Sequence, residues 1–242
     1  ENLVFTNQIE YLVYCQSSAY KDQTYKYGSA RLKYIPLKAN GLQSIFYDSF
    51  SIFHSLFTTR NDLLILGVSG CIMVPLIKIF SNRKIVTNID GLEWKRNKWN
   101  YLAKAFLKFS ELLAVKFSDV IVCDNKAITD YVKNRYKRDA VTIAYGGDHA
   151  DLGIVCDPIE SYHLALCRIE PENNVEMILE AYSNTSIDLK FIGNWNNSKF
   201  GMRLKERFGH YKNIEIIDAV YDQAELFNFR SKAEVYIHGH SA

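Results

Sequence analysis

The chain has 242 residues, 48% hydrophobic and 23% charged, an ordinary globular composition with room for one large domain or two small ones. A formal net charge of +2 is too small to point to nucleic acid. Its five cysteines, at 15, 71, 123, 156 and 167, are odd in number and never spaced Cys-x-x-Cys, which argues for a reducing compartment and against disulfides or zinc.

Glu1-Asn2-Leu3-Val4 reads as the tail of a helix already under way, with no leader-like segment. Residues 9–15 alternate like a strand, and 25–35 contain a second, poorer one stopped by Pro36. Residues 43–58 have helical spacing through Ile45, Phe46, Phe50, Phe53, Leu56 and Phe57. The most apolar window, 63–77, is too short for a bilayer crossing and holds Gly67, Ser69, Gly70 and Pro75. It divides into a buried strand over 63–67, a Ser-Gly turn and a core helix over 71–80. A strand over 84–88 leads to Asp90-Gly91, then a long helix over 94–117. A strand over 120–123, a helix over 125–136 and a strand over 141–144 follow.

A second alternating series starts after Gly146-Gly147, with strands at 162–167, 189–192, 214–217 and 235–237 and helices at 175–182, 200–208 and 223–232. Alternation of this kind implies parallel strands and right-handed crossovers. The expectation is an α/β protein of two Rossmann-like domains, 1–146 and 147–242, facing a cleft, with ligands at the carboxyl ends of the strands.

The stretch 164–182, LALCRIEPENNVEMILEAY, carries the clearest chemistry. An apolar strand ends in Arg168, a polar turn follows through Glu170, Asn173 and Asn174, and a helix opens. The first N–H groups of a helix lack internal partners and its dipole favours an anion. A guanidinium adds directed, charge-assisted hydrogen bonds. The arrangement suits phosphate; alternatively Arg168 pairs with Glu170 or Glu172 and decorates the turn.

Thr87-Asn88-Ile89-Asp90-Gly91-Leu92-Glu93-Trp94-Lys95-Arg96 sets two carboxylates and two cations at a strand end. Asp90 or Glu93 could act on an acceptor as base or orienting group. Equally, Asp90 could cap the helix and Glu93 complement its dipole. Lys95, Arg96, Lys98, Lys104, Lys108 and Lys116 against the single acid Glu111 make a basic amphipathic helix, suited to an anionic membrane surface or simply to a solvated face. Gly193-Asn194 ends a strand where missing Cβ bulk lets a ligand approach, while Trp195 could be plain packing. Val220-Tyr221 follows the next strand, with Asp222 a candidate cap. His238-Gly239-His240 is weak evidence for zinc and reads better as a phosphate or sugar pocket lining. Asp148-His149, at the domain join, is a further pocket candidate. No Asp-x-Asp follows a strand, and neither GxxxxGK[ST] nor GxGxxG occurs.

Together CRIEPENNVEMILEAY, FIGNW, AYGGDHA, TNIDGLEWKR and YIHGHSA, spanning 87–242, resemble one family of bacterial polysaccharide rhamnosyltransferases among the retaining GT-B glycosyltransferases. The resemblance implies transfer of L-rhamnose from dTDP-L-rhamnose to a saccharide or lipid-linked acceptor, without metal or cofactor. It implies a cytoplasmic enzyme, possible contact with the inner membrane face, and no nucleic acid. It places Arg168, Glu170, Asn173, Asn174, Gly193, Asn194, Val220, Tyr221, His238 and His240 around the donor. It favours Asp90 and Glu93 for catalysis and Gly91, Arg96, Asp148 and His149 on the acceptor side. The chain departs from the wider superfamily in having Asn173 or Asn174 where a phosphate-binding lysine is usual. Against the family, the chain reads as an internal piece, lacking a first strand with its glycine-rich loop and stopping within a motif at 236–242. The other readings are a nucleotide-sugar-binding module without turnover, a GT-B transferase with another donor, and an epimerase, which is expected to need a dinucleotide fingerprint.

Overall fold

Alternating apolar and amphipathic runs become strands and helices in the computed structural model, which describes residues 9–58, 61–96, 99–147 and 160–239. The chain divides into two units, Glu1–Tyr145 and Gly146–Ala242. In the first unit the order is β1 (Tyr11–Gln16), β2 (Lys26–Tyr27), β3 (Ala30–Ile35), α1 (Gln43–Thr58), β4 (Leu63–Leu66), α2 (Val74–Phe80), β5 (Ile85–Asn88), α3 (Tyr101–Phe117), β6 (Val120–Cys123), α4 (Lys126–Tyr136) and β7 (Val141–Thr142). One sheet runs β4-β5-β6-β7, all parallel; a smaller one runs β1-β3-β2, with β2 antiparallel. Gly28, at φ 57°, supplies the left-handed turn that splits the expected single strand over 25–35 into β2 and β3. Cys71–Met73 is a 3₁₀ turn, and α2 begins at Val74 with Pro75 in its first turn, where a missing N–H costs little.

The expected helix over 94–117 starts later, at Tyr101. Asn100 caps it by accepting the Ala103 N–H at 2.9 Å. Upstream, Glu93–Lys95 is a separate 3₁₀ turn. Side-chain hydrogen bonds hold this segment out of the helix: Trp99 Nε1 donates to Glu93, six residues back, and Trp94 Nε1 donates to Glu111, both at 3.0 Å. So Asp90 does not cap α3, and Glu93 is not in its first turn. Lys95 and Arg96 lie off the helix and Lys98 lies outside the described residues, leaving Lys104, Lys108 and Lys116.

Glu111, the acid expected on that helix, is fully buried. Its carboxylate also accepts from Tyr131 at 2.7 Å and Tyr136 at 2.5 Å, tying α3 to α4 and to the Trp94 segment. A second buried charge, Arg83, donates to the Ser55 and Leu56 carbonyls in the last turn of α1, where a helix end favours a cation.

The second unit contains β8 (Glu160–Leu166), α5 (Val175–Ser183), β9 (Asp188–Gly193), α6 (Lys199–Phe208), β10 (Ile214–Asp218), α7 (Gln223–Lys232) and β11 (Ala233–Ile237). Its sheet is parallel, ordered β10-β9-β8-β11. Side chains alternate across it. Ala165 and Phe191 meet Leu179, Leu204 and Phe208 of α5 and α6 on one face; Leu164 and Ile192 meet Leu226 of α7 on the other. Strand order therefore reverses beside β8, and the helices change face there. In such sheets the crevice for a ligand opens at the carboxyl ends of the strands flanking the reversal, here β8 and β11. Among the described residues no helix is long and apolar enough to cross a membrane.

Candidate functional site

At the end of β8, the ion pair of Arg168 with Glu170 is 3.8 Å long, and the Arg168 side chain is 67% exposed. An exposed pair of this length is worth little, so the guanidinium stays available to an anion. The turn beneath it is rigidly tied. Asn173 Nδ2 donates to the Arg168 carbonyl at 2.6 Å, and the Ile169 N–H donates to Asn194 Oδ1 at 2.8 Å. Asn174 adopts a left-handed φ of 49° and sends Nδ2 to the Gly239 carbonyl at 2.6 Å. The asparagine amides thus serve the loop. Asn173 and Asn174 each give one of their two amide N–H donors to a backbone carbonyl there.

The two glycines act by close approach. A Cβ on Gly193 would lie 2.4 Å from Ile169 Cδ1 and 2.7 Å from the Cys167 carbonyl; one on Gly239 would lie 2.5 Å from the Asn173 carbonyl. The space left by each side chain is filled by the β8–α5 turn, where a ligand had been expected at Gly193. The structure so brings together the turn bearing Arg168, Glu170, Asn173 and Asn174, the end of β9 with Gly193 and Asn194, and Gly239 beyond β11. His238 stacks on Tyr236, whose hydroxyl donates to the Leu166 carbonyl at 3.0 Å. His240 lies outside the described residues.

Val220 packs on the α7 side of the core, and Tyr221 is 83% exposed. Asp222 caps α7, accepting from Glu225 N–H at 2.8 Å. Trp195 is fully buried, donating to the Ile217 carbonyl, and is a packing residue. Burial pushes the Cys167 thiol up to about 11, which removes it as a thiolate nucleophile at neutral pH.

In the first unit Asp90 follows β5, and Gly91 after it needs its left-handed φ of 68°. Glu93 is engaged by Trp99 and by Arg96 Nη1 at 3.3 Å. Asp90 instead accepts from the Tyr145 hydroxyl at 3.5 Å. Burial first, then the charges of Asp124 and Glu93, raise its carboxyl above the usual range, against the Tyr145 hydrogen bond and Arg96. Asp124, at the end of β6, has a buried Oδ1 with no hydrogen-bond partner among the described residues. The Asp90 charge in turn raises Tyr145. Asp124 and Tyr145 escaped the sequence reading, although an acid directly after the apolar strand VIVC repeats the placing of Asp90 just beyond its own strand. Asp148 and His149 lie outside the described residues. Among the described residues no cluster of ligating side chains could hold a metal.

Comparison with solved structures returns this architecture at low identity. Sucrose-phosphate synthase from Thermosynechococcus elongatus superposes with a TM-score of 0.63 at 12% identity, covering 93% of this chain and 64% of that one. Anabaena HepE, in complex with UDP and glucose, gives 0.58 at 9% identity, covering 89% and 62%. UDP-N-acetylglucosamine 2-epimerase from Rickettsia bellii gives 0.54 at 15% identity, covering 93% and 65%. The chain thus spans less than two thirds of these neighbours' lengths. They establish the fold as GT-B, α/β with two Rossmann-like units. No curated protein matches the sequence. A family profile does match, over residues 2–148, which takes in the described Asp90, Asp124 and Tyr145 of the first unit. The chain therefore belongs to the family described as a domain of unknown function, DUF1972.

Proposed function

We propose that the protein is a retaining, metal-independent glycosyltransferase. Its donor is a nucleotide-sugar, dTDP-L-rhamnose by the family resemblance, and its acceptor is a saccharide or lipid-linked saccharide of a surface polysaccharide. One observation carries this: an exposed guanidinium, Arg168, stands at the strand-order reversal of the second unit, on a turn that Asn173, Asn174 and Asn194 hold rigid. In this reading Arg168 and the first N–H groups of α5 take up the diphosphate charge as the sugar C1–O bond breaks toward phosphate. The acceptor hydroxyl forms the new bond to C1 on the same face and gives its proton to Asp90. Asp90 suits that role because its raised carboxyl is a stronger base than an ordinary one.

Titration calorimetry with dTDP-, UDP- and GDP-sugars tests the donor site. Arg168→Ala is expected to weaken the preferred donor roughly tenfold to a hundredfold, the loss of about 1.5–3 kcal/mol of charge-assisted hydrogen bonding. Thermal stability should be unchanged. Failure of every nucleotide-sugar to bind would overturn the assignment. A second reading is favoured by the Rickettsia neighbour, an epimerase on this same fold with a nucleotide-sugar substrate in its name. Incubation with donor alone separates the two, since an epimerase converts the sugar without an acceptor. If donor binds and neither reaction follows, the chain is a binding module.

A further inference from the structure

Three neighbouring strands of the first unit each bring one polar side chain to the carboxyl edge of their sheet. The last pair of the β5–β6 ladder is Asn88 with Val122, and the Ile89 N–H still reaches the Val122 carbonyl at 2.9 Å. Asp90 and Asp124 each stand two residues past that pair, on strands whose backbones run about 4.8 Å apart. β7 flanks β6 on its other side, pairing Thr142 with Cys123, and Tyr145 follows it with its hydroxyl donating to Asp90 at 3.5 Å. The two carboxylates thus share one corner of the edge. Glu93 and Arg96, on the loop after β5, pair with each other at 3.3 Å.

The two aspartates are not equivalent. Asp124 directly precedes Asn125, the cap of α4, whose side chain accepts the Ile128 N–H at 3.0 Å. The positive end of a helix favours an anion there. Asp90 has no such neighbour, because α3 begins only at Tyr101. Where two carboxyl groups crowd one place, one keeps the charge and the other takes the proton. The helix start makes Asp124 the charged member. Its Oδ1 is sealed from solvent and has no hydrogen-bond partner among the described residues. An orphaned buried acceptor is costly and calls for a reason. A proton arriving on Asp90 supplies one, since it turns an acceptor in the same corner into a donor. Burial raises the Asp90 carboxyl most, with Asp124 next and Glu93 after it, against Tyr145 and Arg96.

We infer that Asp124 is a positioning residue for sugar transfer: its fixed charge and free Oδ1 hold the proton that Asp90 takes from the acceptor hydroxyl. The inference rests on the transferase reading and on Asp90 as its base. The acceptor O–H bond breaks and its proton passes to Asp90, shared with Asp124. The acceptor oxygen bonds C1 as the C1–O bond to phosphate breaks, and the proton later leaves to solvent.

The first test needs no substrate. Asp90→Asn, Asp124→Asn and the double variant form a cycle read by thermal melting of the whole chain at pH 7. Asp90→Asn should raise the melting temperature less when Asp124 is already Asn, because the repulsion is gone. The second test is nucleoside diphosphate release from dTDP-L-rhamnose, UDP-glucose or GDP-mannose, supplied in turn, with water as the acceptor hydroxyl. Asp124→Asn should lower kcat roughly threefold to tenfold, well short of the loss from Asp90→Asn, and leave the donor KM unchanged. The acid limb of its rate profile should move to lower pH, since Asp90 without this neighbour loses its proton more easily. Asp124→Glu keeps the charge and should restore most of kcat, with circular dichroism showing that each variant folds. Additive melting shifts, an unmoved acid limb, or a Glu variant no better than the Asn one would each overturn the inference alone. If the folded parent cleaves none of the three donors, the transferase reading falls and this role with it.

Discussion

Asp90 and Glu93 sit three residues apart in one loop, and their surroundings set them different tasks. Glu93 is held by Trp99 and Arg96, so Glu93→Gln is expected to cost about 1–2 kcal/mol of stability, read by urea denaturation. Asp90 has a raised carboxyl in the folded state. The stability linked to it is full below the unfolded pKa and falls as pH rises through the folded one. At neutral pH the ionised group therefore works against folding, first because it is partly buried and then because Asp124 and Glu93 repel it. Asp90→Asn should melt no lower than the parent at pH 7, with the difference closing in acid, while turnover falls about 10²–10⁴-fold. A parallel loss of stability and turnover would assign Asp90 to structure. The local motif singles out Asp90, but not the surroundings that raise its carboxyl. Asp124 is far along the chain, and only the β5–β6 pairing makes it a neighbour.

At the scale of elements, the helix over 43–58 was readable residue for residue, because its apolar spacing and the turns around it are local. The start of α3 was not. Aromatic and basic residues from 94 onward continue a helical pattern, yet Trp94 and Trp99 find partners in Glu111 and Glu93 that a periodicity cannot show. Asn100→Ala should cost about 1 kcal/mol, as loss of a cap does. Glu111→Gln should cost more, about 2–3 kcal/mol, because the amide meets three donors with one acceptor oxygen and a donor of its own. Changed Trp94 fluorescence should accompany it. Equal costs for the two substitutions would mean that the buried carboxylate does not organise this segment.

Over the whole molecule, a bound nucleotide should act on the second unit. At a concentration about a hundredfold above its dissociation constant, a nucleoside diphosphate-sugar should stabilise its binding unit by about 2.7 kcal/mol. Hydrogen exchange should slow at the β8–α5 turn, and Arg168→Ala should cut the stabilisation by about half or more at that concentration; protection confined to the first unit would place the donor elsewhere. The sequence by itself determined the α/β class, since alternating strand and helix periods are short-range consequences of side-chain geometry. It also marked the Arg168 turn, because an arginine between an apolar run and a helix start is a local pattern. Only the tertiary structure decided the strand order that puts Gly239 beside Asn174, and the use of Gly193 by Ile169 rather than by a ligand. It alone decided which face of α1 looks outward. Apolar residues lie on both sides of that helix, and burial is settled by the sheet and helices it meets, far away in sequence.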